Sequence, residues 1–435
     1  MSDVHVVLVP GFGGFDVLGK LQYYAGLTPL LARWQDAGPD ARRRVTLHYF
    51  DNLPAASVHA RALRLRDYLT KRVARREFRE GDHLVLVGHS TGGLDIRALL
   101  RRLAAGDGAG VSHVDGGRYD AVVVEDKRVL SMIRGVCFLS VPHLGTNSAS
   151  WVRDHAVAQK ALRVTLRRAV ELRRLPGPSE LPLVATWALS RVARSGILDA
   201  ARDALAESDD GRPGLSAAEA ASAREAHAQI ELWTRNIDAD AMALDDLAVR
   251  EPDRADEDLA RREAEREVWS RYGVRTRSYA TVARCPDDPA RVARMGPLSL
   301  FNPLTWPDPR PRPDVDLVFR LAYRACVGGP LVAPPDAAGV TLDGRRRPVA
   351  AWENDGVVNT ASMLWPDGPD TVVVDGDHAD IMGHHRAVEA RPGTARRYYA
   401  YDLFQSASGF TARDFDRVWE GVLDFALSAA SPTSG

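Results

Sequence analysis

The sequence predicts an α/β protein in which a mostly parallel central sheet is covered by helices on both faces. Short apolar runs typical of strands alternate along the chain with longer stretches of helical composition. The runs from Leu84 to Val87 and from Val122 to Val124 are uninterrupted, as expected of strands buried on both faces. The stretch GHSTGG, residues 88–93, then places a serine between glycines directly after an apolar run, which is typical of a strand that turns at once into a helix.

The predicted elements follow one another in the order that an alternating fold requires. The first strand ends at Pro10-Gly11, a turn signal, and the helix at 55–75 carries its apolar side chains at helical spacing. The predicted strands are residues 4–9, 45–50, 83–87, 135–140, 276–282 and 371–374, and the predicted helices among them are residues 27–36, 55–75 and 91–103.

Residues 151–275 interrupt this alternation, because strand runs vanish there and Ala, Leu, Arg and Glu dominate. The sequence therefore predicts a helical cap at 151–275, inserted between an N-terminal core part at 1–150 and a C-terminal core part at 276–435. Within the cap, residues 181–198 are apolar and amphipathic, and the mixed charges of 253–269 predict a helix with a solvated face.

Composition excludes several classes of function. The 435-residue chain has a formal net charge of −1, so no global field attracts nucleic acid or an anionic membrane. Its cysteines, Cys137, Cys285 and Cys326, form neither an even-numbered framework nor a metal-type spacing, and Cys137 lies in an apolar run typical of the core. The short apolar stretch before Pro10 predicts neither a signal peptide nor a membrane span. We therefore expect a cytoplasmic protein as the sequence stands, or a secreted one if a leader has been removed.

The glycines around Ser90 indicate a nucleophile. A strand that turns straight into a helix forces its apex residue into backbone geometry with φ > 0 and presents that side chain above the sheet edge, beside the positive end of the helix dipole. An acyl-transfer serine also needs an oxyanion hole, whose backbone N–H groups we expect from Thr91 and from Phe12 in the Gly-rich loop after the first strand. The alternative is a phosphate-binding loop, although the spacing is not G-x-G-x-x-G and no P-loop lysine follows.

A nucleophilic serine also needs a base, and an acid that orients the base, in the chain order Ser, acid, His. Among the C-terminal histidines, His378 follows a predicted strand after a short loop, whereas His384 and His385 lie further on. The candidate acids upstream are Asp308, Asp314, Asp316 and Asp355, of which Asp355 stands at a turn signal, Glu353-Asn-Asp-Gly.

These motifs resemble those of the bacterial triacylglycerol lipases of the α/β-hydrolase fold, most closely the staphylococcal and thermophilic-bacillus kind. The similar stretches run in the same order from the N-terminus to about residue 385: PGFGGF with LQYYAG, LVLVGHSTGG, SVPHLGT, DADAMALDDLAV, SYATVA, ENDGVVNTASM and VVDGDHADIMG. The resemblance implies that Ser90 is the nucleophile, Asp355 the acid and His378 the base. It also implies that the N–H groups of Phe12 and Thr91 form the oxyanion hole and that residues 151–275 form a cap with a mobile lid.

The family has a zinc site in some members and a calcium site, and the sequence gives a different expectation for each. Residues 50–82 lack the His-rich insertion that contributes to a zinc site in some relatives, so no zinc is expected. The family also binds calcium near the catalytic histidine. Asp380 matches one ligand position of that site, but His385 stands where a further acid is expected, which leaves Asp380 a weak calcium candidate. No cofactor is expected for the chemistry itself.

The sequence thus predicts a serine carboxylic-ester hydrolase, a lipase or esterase, that acts on a small-molecule or lipid ester. An acyltransferase or a polyester depolymerase with the same triad is the alternative, and a non-catalytic binding module is a third class. Residues 181–198 either open at an oil–water interface, with contact to lipid, or pack permanently as a cap helix.

Overall fold

A computed structural model describes residues 2–12, 17–18, 21–53, 56–105, 116–154, 242–249, 255–284, 315, 317–385 and 402–431. Eight strands form one sheet in the order β4-β1-β5-β6-β7-β10-β8-β9, in which all neighbours are parallel except β8 and β9. Two further strands, β2 and β3, form an antiparallel pair. The strands are β1 (Val4–Val9), β2 (Val17–Leu18), β3 (Leu21–Gln22), β4 (Val45–Tyr49), β5 (His83–His89), β6 (Ile133–Leu139), β7 (Arg275–Val282), β8 (Ala338–Thr341), β9 (Arg346–Pro348) and β10 (Val372–Asp375).

Nine α-helices lie within the described residues, on both faces of the sheet and in the region between β6 and β7. They are α1 (Leu27–Asp36), α2 (Val58–Ala74), α3 (Thr91–Ala105), α4 (Gly116–Met132), α5 (Asn147–Asp154), α6 (Met242–Leu247), α7 (Ala255–Arg271), α8 (Leu317–Val327) and α9 (Ala412–Ala429).

The sheet separates two apolar layers, and the strand period of two assigns alternate side chains to each. In β1, Val6 and Leu8 pack with α1 and α9, whereas Val7 and Val9 pack with α2 and α3. Every residue of β1 is buried and all except His5 are apolar, so the strand does not alternate between apolar and polar residues. The two layers hold the carboxyl ends of β1 and β5 side by side at one edge of the sheet.

Most predicted elements occur within a few residues of their expected bounds, but one predicted strand is wrong. Residues 122–124 lie inside helix α4, and the Val124 side chain is 66% exposed. Three apolar residues in a row do not distinguish a buried strand from a turn of helix. In the structure they belong to the long helix α4. Strands β8 and β9 carry little apolar pattern and were not expected.

The cap region is only partly within the described residues. Helices α6 and α7 agree with its predicted helical character, whereas residues 181–198 and the Pro-rich stretch 296–313 lie outside the described part. The boundaries 1–150, 151–275 and 276–435 therefore stay a prediction. The solvated helix expected at 253–269 has a buried side as well, because Glu265 and Trp269 of α7 are 2% and 3% exposed. No helix among the described residues is both long and apolar enough to cross a membrane.

Burial of His384 predicts an acid-sensitive fold. Burial lowers the pKa of this imidazole to about 4, below its unfolded value near 6.5. The unfolded chain then binds more protons between those values, so the stability contributed by His384 is complete above pH 6.5 and is lost as pH falls towards 4. Urea unfolding at pH 7.5 and pH 5 should show a loss from this residue of about 2 kcal/mol. The variant His384→Gln, which retains an N–H donor, should lack that part of the pH dependence. Equal pH slopes for variant and wild type would contradict this.

Candidate active site

Ser90 lies at the apex of a tight turn between β5 and α3, with a positive φ of 52°. The flanking glycines are required by contact, because a Cβ on Gly88 would lie 2.6 Å from the backbone nitrogen of Gly93. A Cβ on Gly93 would in turn lie 2.3 Å from the side chain of Val141. The Ser90 N–H donates to the carbonyl of Leu139 at 2.9 Å, which ties the apex to the neighbouring strand β6. The predicted strand–turn–helix around the serine is thus present in the structure.

The loop after β1 lies directly against this turn. A Cβ on Gly11 would lie 2.7 Å from the Cβ of Ser90, and a Cβ on Gly92 would lie 2.3 Å from the carbonyl oxygen of Val9. Among the described residues, no backbone hydrogen bond from Phe12 or Thr91 to another residue is found, and the role of these two N–H groups stays a prediction. Past this loop the chain enters the β2–β3 pair and not a helix, which disfavours the alternative of a phosphate cradle at a helix N-terminus.

A buried ion pair holds the loop after β1 in place. The Arg61 guanidinium, 1% exposed, lies 2.9 Å from the Asp95 carboxylate. It also donates to the carbonyl oxygens of Pro10 and Gly11 at 2.7 and 3.0 Å. Burial raises the pKa of Asp95 to about 6, even though Arg61 and the Asn52 amide lower it. The loop is therefore fixed by a charged donor that has no access to water.

The pair Asp355 and His378 is buried at the same edge of the sheet. His378 Nδ1 lies 2.7 Å from Asp355 Oδ2, and the His378 N–H donates to the Asp355 carbonyl at 3.0 Å. Asp355 Oδ1 accepts the backbone N–H groups of Val357 and Val358. Because the carboxylate accepts the Nδ1 hydrogen, the neutral imidazole presents a lone pair at Nε2.

Two hydroxyl groups at the ends of the next strands complete the surroundings of Asp355. The Thr281 hydroxyl donates to Asp355 Oδ2 at 2.6 Å, which leaves its oxygen to accept the Ser140 hydroxyl at 2.7 Å. Ser140 also has a positive φ, 51°, directly after β6. Parallel strands end at one edge, so successive strand ends deliver Ser90, Ser140 and Thr281 to the same region.

A contact between His89 and His378 links the turn that carries Ser90 to the loop that carries His378. Their ring centroids are 4.6 Å apart, and His89 Nε2 lies 3.0 Å from the His378 carbonyl oxygen. Within the described residues no hydrogen bond joins Ser90 Oγ to the His378 imidazole. Such bonds are often long in unliganded enzymes and tighten when the substrate binds.

The other candidates lie elsewhere. His384 donates to the carbonyl oxygens of Gln22 and Tyr23, and His385 packs against Phe410 and Phe415. The alternative acids Asp308, Asp314 and Asp316 lie outside the described residues.

Asp380, the weak calcium candidate, lies in a network of hydrogen bonds. Asp380 Oδ2 accepts the backbone N–H of Asp377 and the hydroxyl of Ser408, and Asp377 accepts two further N–H groups and the Ser406 hydroxyl. Calcium requires a shell of oxygen lone pairs, whereas hydrogen donors already approach Oδ2 of Asp380 and both oxygens of Asp377. Burial raises the pKa of Asp377 to about 7 and, together with the neighbouring Asp377, raises that of Asp380. The described residues contain no group of three or more His, Cys, Asp or Glu side chains that could hold a metal ion.

Sequence reasoning missed the groups that support the site. Ser140 and Thr281 lie in the stretches SVPHLGT and SYATVA but were given no role, and Asp95 lies in none of the quoted stretches. Arg61 does leave a signal, because it lies one turn before Leu65 on the apolar side of α2, where an arginine needs a buried partner.

Comparisons with known proteins find similar chains among solved structures. No family model matches the sequence, and no curated protein matches it. Among solved structures, the chain is similar to the lipase of Staphylococcus hyicus, with 14% identity, a TM-score of 0.46, and coverage of 99% of this chain and 97% of that one. It is also similar to the Bacillus licheniformis lipase BlEst2 in its mature form, with 11% identity, a TM-score of 0.36, and coverage of 88% and 87%. A metagenomic carboxyl esterase, MGS0156, has 14% identity, a TM-score of 0.30, and coverage of 98% and 77%.

The chain has the α/β-hydrolase fold. This conclusion rests on the eight-stranded, mostly parallel sheet, the helices on both faces, and the serine turn at the carboxyl end of β5. Identities and TM-scores this low assign no activity, so the α/β-hydrolase site has to be interpreted from its own residues.

Removal of Arg61 should destabilise the protein strongly. Arg61→Met leaves the buried Asp95 carboxylate without its cation, which costs about 3–5 kcal/mol for a pair of this kind. Arg64→Met is the matched control on the same helix, because Arg64 and its partner Asp51 are 43% and 49% exposed. That change should cost less than about 1 kcal/mol. The two free energies of unfolding, measured in urea, should differ accordingly, and equal values would contradict a tightly buried pair.

Proposed function

We propose that the protein is a serine carboxylic-ester hydrolase that cleaves lipid or other acyl esters through an acyl-enzyme. The observation that carries this proposal is the buried Asp355–His378 pair, 2.7 Å apart, whose imidazole lies against the ring of His89, the residue that precedes Ser90 at its strained turn. This combination supplies a presented hydroxyl, a neutral base with a lone pair at Nε2, and an acid that fixes the tautomer of the base.

In the first step the Ser90 oxygen attacks the ester carbonyl carbon while His378 Nε2 takes the hydroxyl proton. Asp355 stabilises the resulting imidazolium through the Nδ1 hydrogen bond and does not itself take the proton. The oxygen of the tetrahedral intermediate becomes negative and accepts hydrogen bonds from the N–H groups of Phe12 and Thr91. Each such donor contributes on the order of 3 kcal/mol to lowering the barrier.

In the second step the intermediate collapses, the C–O bond to the alcohol breaks, and the alcohol leaves with the proton from His378 Nε2. Water then attacks the Ser90 ester, His378 takes a proton from that water, and a second collapse releases the carboxylic acid and restores the serine. The serine proton leaves with the alcohol and the proton that His378 takes from water returns to Ser90 Oγ, so these steps require only the ester and water.

Replacement of the three proposed catalytic side chains should nearly abolish activity. Ser90→Ala, Asp355→Asn and His378→Ala should each reduce p-nitrophenyl ester cleavage, by roughly a millionfold for the serine. A fluorophosphonate should add covalently to Ser90 in the wild type and not in Ser90→Ala, as measured by peptide mass spectrometry. Ser131→Ala, at an exposed serine of α4, is the control and should keep full activity. Substantial turnover by a folded Ser90→Ala would refute the assignment.

The Thr281 hydroxyl should matter through its effect on the acid. Thr281→Val keeps the shape of the side chain but removes a donor from Asp355 Oδ2, so the carboxylate orients the imidazole less well. We expect kcat to fall by roughly tenfold with KM little changed, as for the loss of one hydrogen bond to a charged group. Thr371→Val is the matched control, since that buried hydroxyl donates to the carbonyl of Leu364. If both variants lose activity equally, Thr281 acts only through stability.

A further inference from the structure

Residues 22–25 bridge the loop after β1 and the loop that carries His378. The Ala25 N–H donates to the carbonyl of Met382 at 2.8 Å, and the Tyr23 carbonyl accepts His384 Nε2 at 3.1 Å. The Tyr23 hydroxyl reaches the other way, because it accepts the Gly11 N–H at 2.8 Å. Tyr23 thus contacts both loops that the proposed mechanism uses.

The hydroxyl of Tyr23 also meets His89, and the hydrogens of this contact have one consistent arrangement. Tyr23 Oη lies 2.8 Å from His89 Nδ1, and His89 Nε2 lies 3.0 Å from the His378 carbonyl oxygen. A carbonyl oxygen only accepts, so Nε2 must carry a hydrogen. In a neutral imidazole Nδ1 is then an acceptor, and the Tyr23 hydroxyl donates to it while receiving the Gly11 N–H.

We propose that Tyr23 and His89 are positioning residues that form a directional hydrogen-bond relay. It runs from the Gly11 N–H to the Tyr23 oxygen, from the Tyr23 hydroxyl to His89 Nδ1, and from the His89 Nε2 hydrogen to the His378 carbonyl. The relay couples the placement of the oxyanion loop to the placement of the catalytic base. This inference rests on the proposed function for the meaning of those two loops.

The surroundings of the relay favour the neutral form of both side chains. Tyr23 and His89 are 9% and 1% exposed. Burial lowers the pKa of His89 well below its ordinary value, and the nearby His378 lowers it further. Burial also raises the pKa of Tyr23 above its usual range. A protonated His89 would lose its acceptor at Nδ1, and an ionised Tyr23 would lose its donor, so the relay has a single protonation pattern.

Gly11 is the point where the relay meets the nucleophile. A Cβ at this position would lie 2.7 Å from the Ser90 Cβ and 2.9 Å from Tyr23 Oη. The Gly11 N–H therefore approaches Tyr23 while its Cα touches Ser90. A shift of the Tyr23 hydroxyl moves the backbone next to Phe12, whose N–H is the proposed oxyanion donor. It also releases the His89 ring, whose other nitrogen holds the backbone of His378.

The test is Tyr23→Phe, with Tyr24→Phe as the matched control. The Tyr24 hydroxyl is also buried and lies near the His89 backbone, but it donates to the carbonyl of Val9 at 2.7 Å and forms none of the three hydrogen bonds of the relay. We expect Tyr23→Phe to lower kcat for a p-nitrophenyl ester by roughly 10- to 100-fold, with KM within about twofold, because it misplaces two groups at once. Tyr24→Phe should keep kcat within about threefold of the wild type.

A spectroscopic measurement tests the relay independently of activity. Nitrogen-15 NMR of the imidazoles, assigned with His89→Gln and His378→Gln, should show His89 protonated at Nε2 and unprotonated at Nδ1, without titration between pH 5 and pH 8. In Tyr23→Phe the ring signals of His378 should also change, because the relay ends on the backbone of His378. In Tyr24→Phe they should not.

Three results would overturn the relay: a wild-type His89 protonated at Nδ1, His378 signals unchanged in Tyr23→Phe, or equal kcat for a folded Tyr23→Phe and Tyr24→Phe. A wild type that cleaves no ester would instead refute the proposed function, and the NMR measurements would still decide the relay.

Discussion

The left-handed backbone of Ser90 is the constraint on which the site depends. A non-glycine residue at φ 52° costs on the order of 1–3 kcal/mol and persists only where its surroundings determine it. Here β5 lies between β1 and β6 inside the sheet, and the turn has no room to relax because Gly11, Gly88 and Gly93 make contacts so close that no Cβ would fit. The close packing around this turn therefore maintains the strained backbone of Ser90. In return the serine side chain stands at the sheet edge, next to the first N–H groups of α3.

Each partner of Ser90 is held by a separate buried network. Arg61 and Asp95 hold the loop after β1 from the α2–α3 layer, whereas Thr281 and Ser140 hold Asp355 from the ends of β7 and β6. Both networks place an ionised group away from water and satisfy it with several hydrogen bonds, which is the condition under which a buried charge is tolerated. Such groups have little freedom to reorient, so they act as fixed dipoles around the Ser90 hydroxyl.

More of the candidate site could be predicted from the sequence than of the buried residues that hold it in place. The strand, turn and helix around Ser90 were predictable because glycine and apolar runs report backbone requirements locally. Residues 122–124 were mistaken for a strand because a short apolar run has no period of its own. The pairing of Thr281 with Asp355, and of Arg61 with Asp95, could not be predicted, since both depend on which strand ends and helix faces meet in space. For Asp355 the local turn signal left other acids open, and only the resemblance to a family singled it out.

The loop that carries His378 shows how buried carboxylates can order a site through hydrogen bonds alone. Asp377 and Asp380 flank the histidine and are almost fully buried, so desolvation opposes their ionisation. Their oxygens are satisfied by backbone N–H groups of the loop itself and by the hydroxyls of Ser406 and Ser408, which belong to a distant segment. Hydrogen donors thus direct both oxygens of Asp377 and Oδ2 of Asp380. The placement of His378 consequently depends on the segment just before α9. Helix α9 itself packs on the sheet through Val418 and Trp419. The position of the base is thus set by the same apolar layer that supports β1 and β5.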